Sequence, residues 1–163
     1  MKKITPLGKG VITGAVVLLA TLLLYYAKES TRSALQYVVF IIYALGIFWT
    51  LWAHVRSGEY TGKFGDLFNK GFRCFIIVTL MMVTFTGIFS AAHPEFAEMD
   101  GNNYRQYLKE NEPSRNERER EEMVAKMKKN YTLRLVYSAV FGYLITGTIF
   151  TAAGSGLFLL TKR

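Results

Sequence analysis

Four long runs of apolar residues, separated by short charged segments, dominate the pattern along the chain. None of the runs contains Asp, Glu, Lys or Arg; they are Val11–Ala27, Ser33–Ala53, Cys74–Ala92 and Leu135–Thr161. A helix that crosses the hydrocarbon core of a bilayer needs about 20 mainly apolar residues. The pattern therefore predicts an all-α integral membrane four-helix bundle in one domain, residues 1–163, with transmembrane helices at about 6–27, 33–55, 72–92 and 132–161.

A mixed stretch, "FGDLFNKGFR" at Phe64–Arg73, leads directly into the third apolar run. Its apolar residues, which include Leu67, recur at helical spacing on one side, and Phe75 continues this side after the stretch. Its polar residues lie on the other side. This pattern predicts a short interfacial helix before helix three, with its aromatic face in lipid, an Asp66–Lys70 pair and room for a bend or a close backbone approach at Gly71. The candidate residues for lipid or partner contact are Phe64, Phe68, Lys70, Gly71, Phe72 and Arg73.

The segment 93–131 is predicted to lie outside the membrane. Pro94 disfavours helical geometry at the preceding residue, so helix three should stop there. The sequence "EMDGNN" is typical of a turn. Ser114 and Glu117 have the spacing of a capping box, which predicts a charged helix that runs towards helix four, with acidic residues first and basic residues last.

Small residues at four-residue spacing mark surfaces where membrane helices can approach closely. In helix one they are Gly10 and Gly14; in helix four one stripe contains Ser138, Gly142 and Thr146, and another contains Gly147, Thr151 and Ser155. These stripes are interpreted first as packing within the protomer's own bundle. Two stripes on one helix also suggest two neighbours, one of which could be another subunit.

Basic residues cluster at the ends of the predicted helices, in a chain of 163 residues with a net charge of +8. At such positions they serve membrane topology and attract anionic lipid headgroups, so no nucleic-acid partner is predicted. Lys2 and Lys3 precede a long apolar run that lacks a signal-peptidase site, which predicts an uncleaved anchor. The bases on the two sides are nearly equal in number, but the first helix usually dominates orientation and predicts cytoplasmic N and C termini.

No motif for catalysis is visible in the sequence. HExxH, GxSxG and P-loop patterns are absent, and Cys74 is the only cysteine. His93 and Glu95 flank Pro94, but two possible ligands do not make a metal site. His54, at a helix end, is interpreted as an interfacial anchor. We therefore predict no enzyme activity, no cofactor and no metal.

The chain resembles the small bacterial inner-membrane proteins catalogued as domain of unknown function 4199. The resemblance is carried by "FGDLFNKGFR", by "HPEF" after helix three and by "LITGTIFTAAGSGLFLL" in helix four, with Phe68, Gly71, Phe72, Arg73 and Pro94 as its most specific residues. It implies a multi-pass protein of the bacterial inner membrane without an established activity. The family's genes are often neighbours of genes for membrane-associated glycosyltransferases, which implies a partner of that kind.

These observations favour a non-enzymatic accessory or scaffold subunit of a membrane complex. The complex would handle lipid-linked sugars with a glycosyltransferase, and the contacts would include anionic lipids. The alternative is a small homo-oligomeric transporter or channel, assembled by self-association through the small-residue stripes of helices one and four.

Overall fold

A computed structural model describes residues 4–26 and 36–161, except for the side chain of Gln36. This part of the chain contains six α-helices and no β-strand: α1 (Pro6–Tyr26), α2 (Gln36–Val55), α3 (Phe64–Ala92), α4 (Glu95–Asn111), α5 (Glu117–Lys129) and α6 (Tyr131–Thr161). Four of them, α1, α2, α3 and α6, are long and apolar enough to span a membrane. The prediction of an all-α, multi-pass membrane protein is thus confirmed.

Some predicted features lie outside the described residues. These are the basic ends of the chain, at residues 1–3 and 162–163, and the connection between helices one and two, at residues 27–35.

The chain divides into two compact units, Met1–Met82 with Val140–Arg163 and Val83–Ala139. In the first unit, α2 turns one stripe inward, since Tyr43, Ile47 and Leu51 recur every four residues and are fully buried. Leu67 and Phe75 of α3 are also buried. Side chains at this spacing lie on one face of a helix, so the apolar order of the sequence specifies which faces pack together.

The second unit contains a hairpin of two short helices, α4 and α5. Gly101 and Leu108 of α4 and Val124 of α5 are buried between them.

One edge of the hairpin is closed by two ion pairs. Lys128 Nζ lies 2.5 Å from Glu98 Oε2. The Arg105 guanidinium binds both carboxylate oxygens of Glu121 on α5, at 2.6 and 2.9 Å. The hairpin therefore combines a small apolar contact with charged pairs on its rim.

Two predictions for the extramembrane segment are wrong. The sequence "EMDGNN" is not a turn but part of α4. Ser114 does not cap the next helix; Asn116 does, and its side chain accepts a hydrogen bond of 2.8 Å from the Glu119 N–H. Residues 112–115 form a turn instead, with the Arg115 N–H bonded to the Glu112 carbonyl at 3.2 Å.

The third membrane helix also differs from its prediction. Residues 64–71 do not form a separate interfacial helix, because α3 is one helix of 29 residues. At about 1.5 Å per residue it is about 44 Å long, whereas the hydrocarbon core is about 30 Å thick. The polar first turns thus extend α3 beyond the apolar run without a break.

Candidate functional site

The beginning of α3 is tied to the end of α2 by a buried histidine. His54 is only 6% exposed, and its Nε2 donates to Asp66 Oδ2 over 2.9 Å. The same oxygen accepts hydrogen bonds from the N–H and hydroxyl of Thr61, at 3.1 and 3.2 Å. In the segment between His54 and Asp66, Gly58 and Gly62 have φ values of 78° and 76°, which glycine adopts without steric cost. These bonds fix the turn that positions α3.

Two expectations from the sequence are corrected here. His54 is not an interfacial anchor exposed to the headgroups but a buried hydrogen-bond donor. Asp66 pairs with His54 across the turn rather than with Lys70, with which it forms no ion pair in the described chain. The spacing of twelve residues gave no periodic signal for this contact.

Gly71 lies where three helices meet. A Cβ atom at this position would lie 2.5 Å from Thr151 Cγ2 on α6 and 3.2 Å from Leu51 Cδ2 on α2. Both distances are too short for ordinary packing, so only glycine lets α3 approach so closely. Of the two roles that the sequence suggested for Gly71, the close backbone approach is the one that the structure shows.

The apolar residues of "FGDLFNKGFR" and its flanks do not all face the same way. Leu67 and Phe75 are 0% and 1% exposed and belong to the core, contrary to the prediction that they face lipid. Phe64 and Phe72 are 42% and 43% exposed. Phe68 is half-buried and stacks on the Phe64 ring, with centroids 5.9 Å apart. The helix therefore turns one apolar stripe inward and a second, aromatic stripe outward.

A basic side chain accompanies the outward stripe. Arg73 is exposed, and its Nε donates to Asn69 Oδ1 at 3.2 Å, one turn earlier on α3. Lys70 is half-buried. Since the guanidinium has five N–H donors, most of them remain available after this bond. We call the exposed set Phe64, Phe72 and Arg73 the α3 contact surface.

Five of the predicted packing residues are buried: Gly10, Gly14, Gly147, Thr151 and Ser155. A Cβ at Gly10 would lie 2.6 Å from the Cys74 carbonyl oxygen, and one at Gly14 would lie 2.6 Å from Met81 Sδ. These positions therefore bring α1 close to α3.

On the other stripe of helix four, Ser138 and Gly142 are exposed and Thr146 is half-buried. A Cβ at Gly142 would have no atom within 4 Å among the described residues. Gly142 thus makes no close contact within the described protomer.

Several polar groups lie inside the first unit; the burial of Lys9 was not predicted from the sequence, whereas Thr151 and Ser155 were predicted to pack. Lys9 is 8% exposed, and its Nζ lies 5.5 Å from the centroid of the Trp49 ring. The hydroxyl groups of Thr151 and Ser155 are fully buried and have no hydrogen-bond partner in the described chain. Buried polar groups normally have partners, so this interior is unusually polar for a small bundle.

His93 and Glu95, which flank Pro94 after the end of α3, are hydrogen-bonded to each other. His93 Nδ1 lies 2.6 Å from Glu95 Oε1, and this hydrogen bond lowers the pKa of the Glu95 carboxyl below its ordinary value. Within residues 4–26 and 36–161, no three His, Cys, Asp or Glu side chains lie together as metal ligands would. Cys74 is buried.

Comparison with known proteins identifies the family. A family model described as "Protein of unknown function (DUF4199)" matches residues 9–159. The chain therefore belongs to this family, and the resemblance seen in the sequence is confirmed. No curated protein and no solved structure matches the chain.

Proposed function

We propose that this member of the DUF4199 family is a non-enzymatic accessory or scaffold subunit of a membrane complex. It would lie in the bacterial inner membrane with both termini in the cytoplasm. Its partner would be a glycosyltransferase that handles lipid-linked sugars, as the genomic neighbourhood of the family suggests. The observation that carries the proposal is the α3 contact surface, which is exposed and yet held on a rigid support.

Contacts on either side of residues 64–71 hold the first turns of α3 in place. The His54–Asp66 hydrogen bond fixes the preceding turn, and the close approach at Gly71 holds the helix against α2 and α6. A surface that is fixed in advance loses little conformational entropy when it binds, so it binds more tightly than a mobile one.

The chemistry of the α3 contact surface suits the headgroup layer. Phe64 and Phe72 provide exposed aromatic area, and Arg73 provides a planar cation whose only hydrogen bond in the described chain is to the neutral Asn69 side chain. Arginine binds phosphate groups with two parallel hydrogen bonds, and aromatic residues and arginine are enriched at protein interfaces. The surface thus fits anionic lipid headgroups and a membrane-protein partner at the same depth.

Affinity purification from native membranes in mild detergent tests this proposal. The tagged protein, expressed at its native level, is compared with Phe72→Ala and Arg73→Ala, and co-purifying proteins are identified by mass spectrometry. Phe141→Ala and Arg118→Ala are matched controls, because both residues are exposed outside the α3 contact surface, at 62% and 89%. We expect a stoichiometric partner with the unmodified protein and both controls, and a large loss of it with the two α3 variants.

The proposal is wrong if no protein partner co-purifies. It also fails if the α3 variants retain the partner as well as their controls do, since the partner would then bind elsewhere.

A small homo-oligomeric transporter or channel is the second candidate. Two ionisable side chains of the first unit, Lys9 and His54, are buried, at 8% and 6% exposure. Ionisable groups within membrane segments often mark paths for ions or substrates. The exposed Ser138 and Gly142 offer a stripe for self-association. This candidate predicts an oligomer without a foreign partner and solute flux into liposomes that His54→Ala abolishes; a monomer without flux would exclude it.

A further inference from the structure

The open edge of the α4–α5 hairpin contains a groove of about 700 Å³. Its opposite edge is closed by the Glu98–Lys128 and Arg105–Glu121 ion pairs. The groove is within the range of about 300–1,000 Å³ that is usual for sites that bind small molecules. The hairpin thus has one sealed edge and one edge that can accept a ligand.

Two tyrosines form the aromatic part of this groove. The rings of Tyr104 and Tyr107 are nearly parallel, with 10° between their planes and 6.3 Å between their centroids. Tyr107 is 55% exposed although its ring is large and apolar. Exposed ring faces of this kind can cover the C–H face of a flat, hydroxylated ring, while their hydroxyl groups remain available for hydrogen bonds.

Two cations face the same groove. Lys126 and Arg134 both line it, and neither forms an ion pair with any described residue. On the sealed edge, by contrast, Lys128 and Arg105 are neutralised by acids. An ammonium and a guanidinium that line one groove and are not held in ion pairs can bind a phosphate group.

Amide and carboxyl groups complete the lining. Asn103 and Asp100 lie beside the tyrosines and supply both donors and acceptors for hydroxyl groups. The single carboxylate leaves the lining with an excess of positive charge, so an anionic ligand is favoured over a neutral or cationic one.

The position of Arg134 relates the groove to the membrane. Arg134 belongs to the first turn of α6, and the uncharged run Leu135–Thr161 begins at the next residue. A basic side chain at that place reaches the headgroup layer. The groove can therefore be filled from the bilayer surface as well as from water.

We propose that this groove binds a phosphorylated sugar or cyclic polyol. The phosphate would contact Lys126 and Arg134, and the hydroxylated ring would lie against Tyr104 and Tyr107. The inference rests on the proposed function for the link to lipid-borne sugars, but it assigns a separate site and requires no partner protein.

The test uses the full-length protein in phosphatidylcholine nanodiscs. Nanodiscs that also contain phosphatidylinositol offer a phosphate with a cyclic polyol on a lipid, and those with phosphatidylserine offer the same net charge without the polyol. Glucose 1-phosphate is the free source. Affinity is measured by native mass spectrometry, and hydrogen exchange of the α4 and α5 amides reports where the ligand binds.

We expect phosphatidylinositol to bind more tightly than phosphatidylserine and to protect α4 and α5. Tyr104→Ala should weaken this binding about tenfold, whereas Tyr104→Phe, which keeps the ring, should change it by about twofold at most. Lys126→Ala should weaken it about tenfold as well, and Lys129→Ala is the matched control, an exposed lysine of α5 outside the groove.

The two probes distinguish a free phosphorylated sugar from a lipid headgroup as the source of the ligand. Binding of glucose 1-phosphate that depends on Lys126 supports a free ligand, and binding of phosphatidylinositol alone supports a headgroup presented by the bilayer. Equal binding of both anionic lipids without an effect of Tyr104→Ala, or no protection of the hairpin by any probe, overturns the proposal. Partner capture through the α3 contact surface would be unaffected by that failure.

Discussion

The close contact at Gly71 allows a quantitative test of the fold around the candidate site. In Gly71→Ala the new Cβ would lie 2.5 Å from Thr151 Cγ2 and 3.1 Å from Thr151 Oγ1. Thr151 is 0% exposed, and its β-branched side chain has few alternative rotamers, so it cannot move aside. Leu51 of α2, whose Cδ2 would lie 3.2 Å from the new Cβ, is fully buried too. The substitution must therefore displace α3 or strain its neighbours.

Two opposing terms determine the size of the effect. Overpacking of a dense core costs about 1–3 kcal/mol. Alanine favours a helix over glycine by about 0.8–1 kcal/mol. We therefore expect Gly71→Ala to lower the free energy of unfolding by a net ~0–2 kcal/mol, and by about 1–3 kcal/mol relative to an alanine substitution without the clash.

Gly142→Ala is the matched control, because a Cβ there has no described atom within 4 Å. It makes the same chemical change in a membrane helix without the clash, so it should leave stability unchanged or raise it by up to about 1 kcal/mol. Both variants can be compared by SDS titration in mixed micelles, followed through the fluorescence of Trp49 and Trp52.

A double variant isolates the contact itself. Thr151→Ser removes Cγ2, the atom nearest to the new Cβ, and should therefore restore part of the stability lost in Gly71→Ala. Equal unfolding curves for Gly71→Ala and Gly142→Ala, or additive effects in the double variant, would refute the close approach of α3 to α6.

Two further predictions concern polar pairs. His54→Ala leaves the Asp66 carboxylate without its buried donor and should lower the free energy of unfolding by about 1–3 kcal/mol in the same titration; an unchanged curve would contradict the assigned role. In the hairpin, the hydrogen bond from Arg105 lowers the pKa of Glu121 below its ordinary value of 4.5. The stabilisation from this pair is therefore complete above that pH and is lost as the pH falls through the lower, folded value. Hydrogen exchange of the α4 and α5 amides should accelerate in this acidic range more in the unmodified protein than in Glu121→Gln, and identical pH profiles would exclude the effect.

The membrane spans could be predicted because length and apolar composition alone decide them. A run of about 20 uncharged residues has few alternatives to a spanning helix, since each backbone polar group in lipid needs an internal partner. Pro94 likewise fixed the boundary between α3 and α4, because the residue before a proline avoids helical geometry. These signals are local and need no knowledge of tertiary contacts.

The hairpin shows where local signals fail. Glycine and asparagine favour a turn in "EMDGNN", yet Gly101 is buried in α4, where the Lys128 side chain fills the space that a Cβ would occupy. Tertiary packing thus overrides a weak local preference. Ser114 and Asn116 are both good capping residues, and the turn at residues 112–115 decided between them.

The candidate site was only partly visible in the sequence for a related reason. Helical periodicity gathered the aromatic residues of α3 on one side but could not tell which of them face a neighbouring helix. The His54–Asp66 bond depends on a turn whose path is set by two glycines with positive φ, at 78° and 76°. Periodicity gives no information on such contacts, because they join the ends of two helices through an irregular segment.

The distribution of neutralised and unneutralised cations connects the two proposed surfaces. Arg105 and Lys128 each pair with an acid, so their charges contribute little to attraction from a distance. Arg73, Lys126 and Arg134 form no ion pair in the described chain. Arg73 follows the exposed Phe72 on α3, and Lys126 and Arg134 line the groove that Tyr104 and Tyr107 also line. A basic residue near an anionic membrane surface gains about 1 kcal/mol only if its charge is not already compensated. The net charge of +8 therefore matters less than the placement of these three cations, since they lie where aromatic rings can hold the rest of a phosphorylated ligand or a partner.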